Sequence, residues 1–310
     1  MNWNLYCYSL PFHPPFTKRE GLIIELQLAN GLKGWGEIAP LPGRSKETLS
    51  QAKTQILSLL NNQETGPLFP SVKLGWEFAT RITALCNRAL PIAGLIWGSA
   101  ETILEKAEKI YASGYRTIKV KISNLTFDDA RVVLKKLAPR FRVRVDVNRA
   151  WSFEESNSFF SHFDESTFAF IEEPTHEIDK LKHFSHPFAL DESLLDIPLD
   201  TLTTFPKLTA LVIKPTILGG KSDCTSLLSI AQKNGLEVIF SSACESGLGL
   251  IQIATLANDL NATIEPLGLD TYKFIEQDLL ITPLDFSTPN LVLPSSISLK
   301  THLLQKIAHG

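Results

Sequence analysis

Charged residues recur at the ends of apolar segments in this chain of 310 residues. Thr117-Ile118-Lys119-Val120-Lys121 ends in two lysines. Val143-Arg144-Val145-Asp146 ends in an aspartate, Phe168-Ala169-Phe170-Ile171-Glu172 in a glutamate and Phe188-Ala189-Leu190-Asp191 in a second aspartate. Leu211-Val212-Ile213-Lys214 ends in a lysine, and Ile239-Phe240-Ser241-Ser242 in two hydroxyls. From Lys121 to Lys214 the charged ends are spaced 25, 26, 19 and 23 residues apart, each about one strand-plus-helix unit. A lone Asp or Lys after a strand is ordinarily a helix cap, a turn residue or a solvated charge. Three carboxylates at successive strand ends differ, because like charges brought together repel unless a cation joins them. Oxygen-only ligands select a hard ion, so Asp146, Glu172 and Asp191 are the candidate ligands of Mg²⁺, with Mn²⁺ admissible. Lys119 and Lys121 are two residues apart and share a strand face. Adjacent ammoniums make each other costlier to charge, which lowers pKa and suits Lys121 as a base near neutral pH, with Lys119 in support. That both only neutralise the carboxylates is the alternative.

The elements that must bring these ends together are legible in the hydrophobic pattern. From about residue 91 strands and helices alternate, with strands at 92–96, 116–121, 141–147, 168–172, 187–191, 209–214, 236–241 and 262–265. Helices fill 99–112, 126–138, 152–163, 221–234 and 246–259. Ser152 and Glu155 form a capping box, and Gly114 closes a helix. This rhythm predicts a (β/α)-barrel, whose parallel strands gather all the charged ends on one rim. An open doubly wound sheet is the competitor, but the first strand runs into Leu95-Ile96-Trp97-Gly98-Ser99 and not a Gly-rich phosphate turn. The first ninety residues read as α+β: a hairpin of 22–28 and 34–38 around Asn30-Gly31, then helices at 45–60, capped by Ser45, and at 71–89. Three prolines within Pro11–Pro15 predict a mobile loop over 11–18. The expected division is a capping domain at 1–90, a barrel at 91–282, and a segment at 283–310 that returns to the first domain.

Composition narrows the function classes. Thirty basic and thirty-three acidic residues give a net charge of −3 with no basic run, which argues against nucleic acid as a partner. No apolar run reaches the ~20 residues of a membrane span, and no signal-peptide pattern opens the chain. Cys7, Cys86, Cys224 and Cys244 are far apart, as expected of reduced thiols in a cytoplasmic enzyme. His183 and His186 read as a surface turn, and no Ser-His-Asp nucleophile motif is present. The expected partner is a small carboxylate. The oligomeric state is left open, a monomer included.

Together, Lys119-x-Lys121, Asp146-Val147-Asn148-Arg149-Ala150-Trp151, Ile171-Glu172-Glu173-Pro174, Leu190-Asp191-Glu192-Ser193 and Val212-Ile213-Lys214-Pro215-Thr216 resemble the enolase superfamily. Within it they most resemble the o-succinylbenzoate synthase family of menaquinone biosynthesis. Gly34-Trp35-Gly36-Glu37-Ile38-Ala39-Pro40-Leu41-Pro42-Gly43 and Ser241-Ser242-Ala243-Cys244-Glu245-Ser246-Gly247 fit the same resemblance. It implies a modified (β/α)₇β barrel with an N-terminal α+β capping domain whose loops, here 11–20 and 40–45, close over substrate. It also implies a Mg²⁺-dependent lyase that dehydrates 2-succinyl-6-hydroxy-2,4-cyclohexadiene-1-carboxylate to o-succinylbenzoate. By residue it implies metal ligands Asp146, Glu172 and Asp191, base Lys121, second lysine Lys214, and substrate contacts from Arg144, Asn148, Ser241, Ser242 and Gly247.

Three rivals remain at the level of residues. The same two lysines suit an N-succinylamino acid racemase or dipeptide epimerase. A Schiff-base aldolase also places a lysine at a barrel strand end, but needs no three successive carboxylates. A barrel that only binds a ligand would bury these charges without use, at a cost.

Overall fold

The computed structural model describes residues 2–13, 17–28, 31–81, 85 and 88–310. Strands β1 (Trp3–Pro11), β2 (Lys18–Gln27) and β3 (Lys33–Ile38) are followed by helices α1 (Leu49–Leu60) and α2 (Pro70–Ala79) and the short strand β4 (Ala89–Pro91). The alternating part runs β5 (Gly94–Ile96), α3 (Ala100–Ala112), β6 (Thr117–Lys121), α4 (Phe127–Leu137), β7 (Arg142–Asp146), α5 (Phe153–Phe160), β8 (Phe170–Glu172) and β9 (Phe188–Leu190). It continues β10 (Leu208–Ile213), α6 (Pro215–Leu218), α7 (Lys221–Lys233), β11 (Glu237–Phe240) and α8 (Gly247–Asp259). Strands β12 (Asn290–Val292) and β13 (Gln305–His309) end the chain.

The first three strands pair antiparallel, β2 being central, and β13 adds to the free edge of β1. Strand β12 pairs with β4. Pro11 and Lys18 face each other as the ends of β1 and β2, so the expected 11–18 loop is regular at both margins; 14–16 lie outside the described residues. Asn30 of the expected Asn-Gly turn and Cys86 also lie outside the described residues. Helix α1 is capped by Thr48, in a capping box with Gln51, and not by Ser45, whose hydroxyl instead accepts the Leu41 N–H at 2.8 Å. Helix α2 stops at Thr80, well short of residue 89. The Thr80 hydroxyl bonds back to the carbonyls of Trp76 and Glu77, competing for the last-turn acceptors. The Ser152–Glu155 capping box is present on α5, and Gly114 follows α3 with φ +92°.

Strands β5 to β11 form one parallel sheet in sequential order. The eighth stave differs from expectation. Residues 262–265 form no strand: Asn261 turns the chain with φ +54° and Ile264 is 90 % exposed. The ring closes one step later. Leu267 and Gly268 bridge in parallel to Ile92 and Ser241, with Leu267 N–H on Pro91 O and Gly268 N–H on Phe240 O, both at 2.8 Å. Only a short 3-10 helix, Asp270–Phe274, and no α-helix follows before the chain leaves the ring, so this is a (β/α)₇β barrel with an N-terminal capping domain. Phe170, Ala189, Ala210, Val212 and Ile239 fill its interior, and a larger apolar shell packs the helices outside. Among the described residues, no helix is long and apolar enough to cross a membrane.

Candidate active site

Parallel register places the charged strand ends. Lys121 pairs with Asp146, and Asp146 with Glu172, so three neighbouring strands present these side chains on one rung. Asp191 follows β9 directly. The carboxylates are 0 %, 2 % and 7 % exposed for Asp146, Glu172 and Asp191. Above them opens a cavity of about 930 Å³. Its floor includes Lys119, Lys121, Glu172, Asp191 and Lys214, and the capping loop Leu41–Arg44 lies on its wall.

Lysines neutralise the acids. Lys119 Nζ bonds Glu172 Oε1 and lies 2.9 Å from Asp146 Oδ2, while Lys214 Nζ bonds Asp191 Oδ2. Burial opposes the Lys119 charge, but Asp146, Glu172 and Asp191 outweigh it and hold its pKa well above the usual lysine range. The expected mutual depression of two adjacent lysines therefore does not govern Lys119, because three nearby carboxylates outweigh it. Burial likewise opposes the Lys214 charge, and Asp191 reverses it upward. Burial pushes Glu172 well above the carboxylate range; Lys119 pulls it back, while Asp146 and Asp191 add to the rise. Lys121 has a different setting. Its Nζ donates to the amide oxygen of Asn148 at 3.0 Å and lies 3.6 Å from Asp146 Oδ2. Asn148 is held for this role in a left-handed turn (φ +50°), its N–H on Asp146 Oδ1 at 2.9 Å.

Among the described residues, no three acidic, histidine or cysteine side chains stand in ready-made metal-ligand geometry, because lysines occupy the space between the acids. The donor set nevertheless fits a hard divalent ion. All three candidate groups are carboxylates, they are buried at adjacent strand ends, and Asp146 Oδ2 accepts no well-formed hydrogen bond.

The remaining predicted residues separate into two groups. Ser241 and Ser242 line the cavity and donate to Gly268 O at 3.1 and 3.3 Å; Ser242 also bonds Thr271 at 2.6 Å. Arg144 reaches the cavity from beneath, 2 % exposed, with Nη1 on Pro266 O at 2.7 Å and Nη2 on Glu265 at 3.0 Å. Gly247 does not line the cavity. It opens α8 with its N–H on Asp278 at 2.8 Å, and a side chain there would strike Asp278 and Leu280. Its glycine answers to packing behind the rim.

Sequence reasoning missed two features. Glu173 is fully buried and accepts the Asp191 N–H at 2.7 Å, the Ser193 N–H at 2.8 Å and the Ser193 hydroxyl at 2.5 Å. It fixes the backbone that carries Asp191, and burial pushes its pKa up to about 7. The doubled acid of Glu172-Glu173-Pro174 was its only signal. Arg44 of the capping loop meets Glu192 at 3.0 Å, closing part of the cavity mouth. Nothing local could have paired them.

Comparison with known proteins adds independent findings. The family described as "Enolase C-terminal domain-like" matches residues 102–297, and that described as "MenC, N-terminal domain" matches residues 2–83. The o-succinylbenzoate synthase of Yersinia pseudotuberculosis serotype O:1b (strain IP 31758) is 32 % identical, over 89 % of this chain and 92 % of its own. The crystal structure of o-succinylbenzoate synthase from Thermosynechococcus elongatus BP-1, complexed with Mg in the active site, shares the fold. Its TM-score is 0.72 at 23 % identity, covering 91 % of this chain and 97 % of that one. So does a substrate-liganded L-Ala-D/L-Glu epimerase from Bacillus subtilis, with TM-score 0.77 at 18 % identity, covering 99 % and 98 %.

Proposed function

Because this chain belongs to the enolase C-terminal domain-like family, and among its members to the o-succinylbenzoate synthases, we propose that its cavity dehydrates a cyclohexadiene carboxylate to o-succinylbenzoate. The substrate is 2-succinyl-6-hydroxy-2,4-cyclohexadiene-1-carboxylate. The observation that carries the assignment of roles is the single rung of Lys121, Asp146 and Glu172, with Lys214 across the ring.

A proton α to a carboxylate is weakly acidic, because its removal builds a second negative charge. Asp146, Glu172 and Asp191 would hold a Mg²⁺ whose charge, when bound, stabilises that second charge. Lys121, in its neutral form, takes the α-proton, its nitrogen aimed by the Asn148 amide 3.0 Å away. The pair of electrons from the broken C–H bond forms the ring double bond as the β-hydroxyl leaves. Lys121, now an ammonium, returns its proton to that departing oxygen, so water is released and the base is restored. Lys214, held as a cation by Asp191, faces the planar anion and stabilises it by charge and by a cation–π contact. Lys119 balances the buried acids. Arg144, Ser241 and Ser242 contact substrate from the floor and wall of the cavity. The aromatic product makes the step strongly downhill.

The test is the ultraviolet change as the cyclohexadiene aromatises. Turnover that depends on added Mg²⁺ supports the reading; a chain that leaves this compound unchanged in saturating Mg²⁺ refutes it. A second reading rests on one observation: β6 and β10 are four steps apart around eight staves, so Lys121 and Lys214 address opposite faces of a substrate. That arrangement also suits two-base racemisation. Deuterium entering both enantiomers of an N-succinyl amino acid would favour it. The division into 1–90 and 91–282, with 283–310 returning, belongs to the same reading and is supported by the pairing of β13 with β1. So does a cytoplasmic setting, supported by free thiols at Cys7, Cys224 and Cys244 among the described residues. Mn²⁺ would be accepted by the same oxygen ligands.

A further inference from the structure

Arg19, near the start of β2, is 4 % exposed and lies outside the chemistry described above. Its Nε donates to Cys244 O at 3.0 Å. Nη1 donates to Pro40 O at 2.8 Å and to Glu20 O at 3.3 Å, and Nη2 donates to Ala39 O. One guanidinium thus grips two walls of the cavity. Ala39 and Pro40 lead directly into the capping loop Leu41–Arg44, and Cys244 follows the Ser241-Ser242 end of the barrel.

Cys244 has φ +61°, a left-handed backbone that a residue with a Cβ adopts only when its surroundings impose it. Two contacts impose it here. On one flank the Ala243 N–H donates to Glu245 Oε2 at 2.7 Å, and on the other the Cys244 carbonyl accepts from Arg19. A planar fork with fixed donor directions can serve three carbonyls at once; a lysine ammonium on a flexible stem cannot reproduce that geometry.

We propose that Arg19 is a positioning residue for the cavity: by holding the carbonyls of Ala39, Pro40 and Cys244 together, it fixes the capping loop and the Ala243–Cys244 wall at one spacing and so sets how closely substrate is enclosed. The inference rests on the cavity being the substrate site.

Kinetics, exchange and a compensating substitution test it on the full-length chain. In Arg19→Lys, KM should rise about tenfold with kcat within about threefold, and in Arg19→Met further, with the Mg²⁺ titration unchanged in both. Adding Cys244→Gly to Arg19→Met should recover much of the KM, because glycine enters the left-handed region unaided. Amide exchange at 243–246 should quicken by about tenfold in Arg19→Lys. Unchanged KM in both variants with only a lower melting temperature, or no recovery with glycine, overturns the proposal. If Arg19→Met fails to fold, Arg19→Lys alone decides by KM and exchange. If the wild-type chain does not turn over the cyclohexadiene, the functional reading fails by itself; quickened exchange then still supports the clasp, and unchanged exchange overturns it.

Discussion

Lys119 Nζ stands 2.9 Å from Asp146 Oδ2, a buried oxygen that accepts no well-formed hydrogen bond. The same ammonium bonds Glu172, so one lysine compensates two acids on neighbouring strands. Removing it takes the nearest counter-charge from both buried acids, and a bound divalent ion would restore one. Lys119→Met should therefore lose about 3–5 kcal/mol of stability in chelator, and Mg²⁺ should raise its melting temperature more than it raises that of wild type. Melting curves in chelator and in Mg²⁺ decide this; a variant that melts like wild type in both would remove Lys119 from the charge balance.

Lys121 and Asp191 should separate cleanly. Lys121→Ala should cut turnover by about 10³-fold or more while the Mg²⁺ binding isotherm stays within about twofold. Asp191→Asn should instead weaken Mg²⁺ binding by more than about tenfold. Calorimetric titration beside steady-state rates checks both, and near-normal turnover in Lys121→Ala would displace it as the base.

Glu37 supplies a pH signature away from the metal ligands. Its carboxylate accepts Tyr8 OH at 2.5 Å, Ser246 N–H at 3.0 Å, Gly249 N–H at 2.6 Å and the Ser246 hydroxyl, tying β3 to the start of α8. Burial raises its pKa, with Ser246 and Tyr8 pulling it back. The folded state thus binds this proton more tightly than the unfolded chain, whose glutamate titrates near ~4.3. Its contribution to stability is greatest below that value and declines as pH rises toward the folded pKa. Glu37→Gln removes the slope. It should be less stable by about 1–3 kcal/mol near pH 5, since an amide nitrogen accepts no hydrogen bond where even the hydroxyl oxygen of a protonated carboxyl can, and the gap should narrow as pH is raised from about 5 to about 8. Urea unfolding across that range measures it; a widening gap contradicts the sign.

Cys244 lines the cavity yet should resist alkylation. Burial, then Glu245, pushes its thiol up to about 11, leaving little thiolate at neutral pH. At about pH 7.5, iodoacetamide should label it at least about 100-fold more slowly than free cysteine, as read by peptide mass spectrometry.

Much of this protein is written locally. The strand ends Lys119-x-Lys121, Asp146, Glu172, Asp191 and Lys214 follow from a two-residue strand period and a repeat of one strand-helix unit. Parallel pairing then leaves no freedom about which rim they share. Capping by Ser152–Glu155 and the stop at Gly114 are equally local, since each depends on a side chain and backbone a few residues apart. Other features depend on partners far along the chain. The ring closes at Leu267–Gly268 because two edge strands, not local propensity, supply the hydrogen bonds. Gly247 packs against Asp278 and lies off the cavity. Glu173 steadies Asp191, Arg44 meets Glu192, and Arg19 grips Cys244 across 225 residues. Sequence alone determined which charges gather on one rim, because strand periodicity is short-range. The tertiary structure alone decided how their backbones are held and what closes over them, because those bonds form only when distant segments meet.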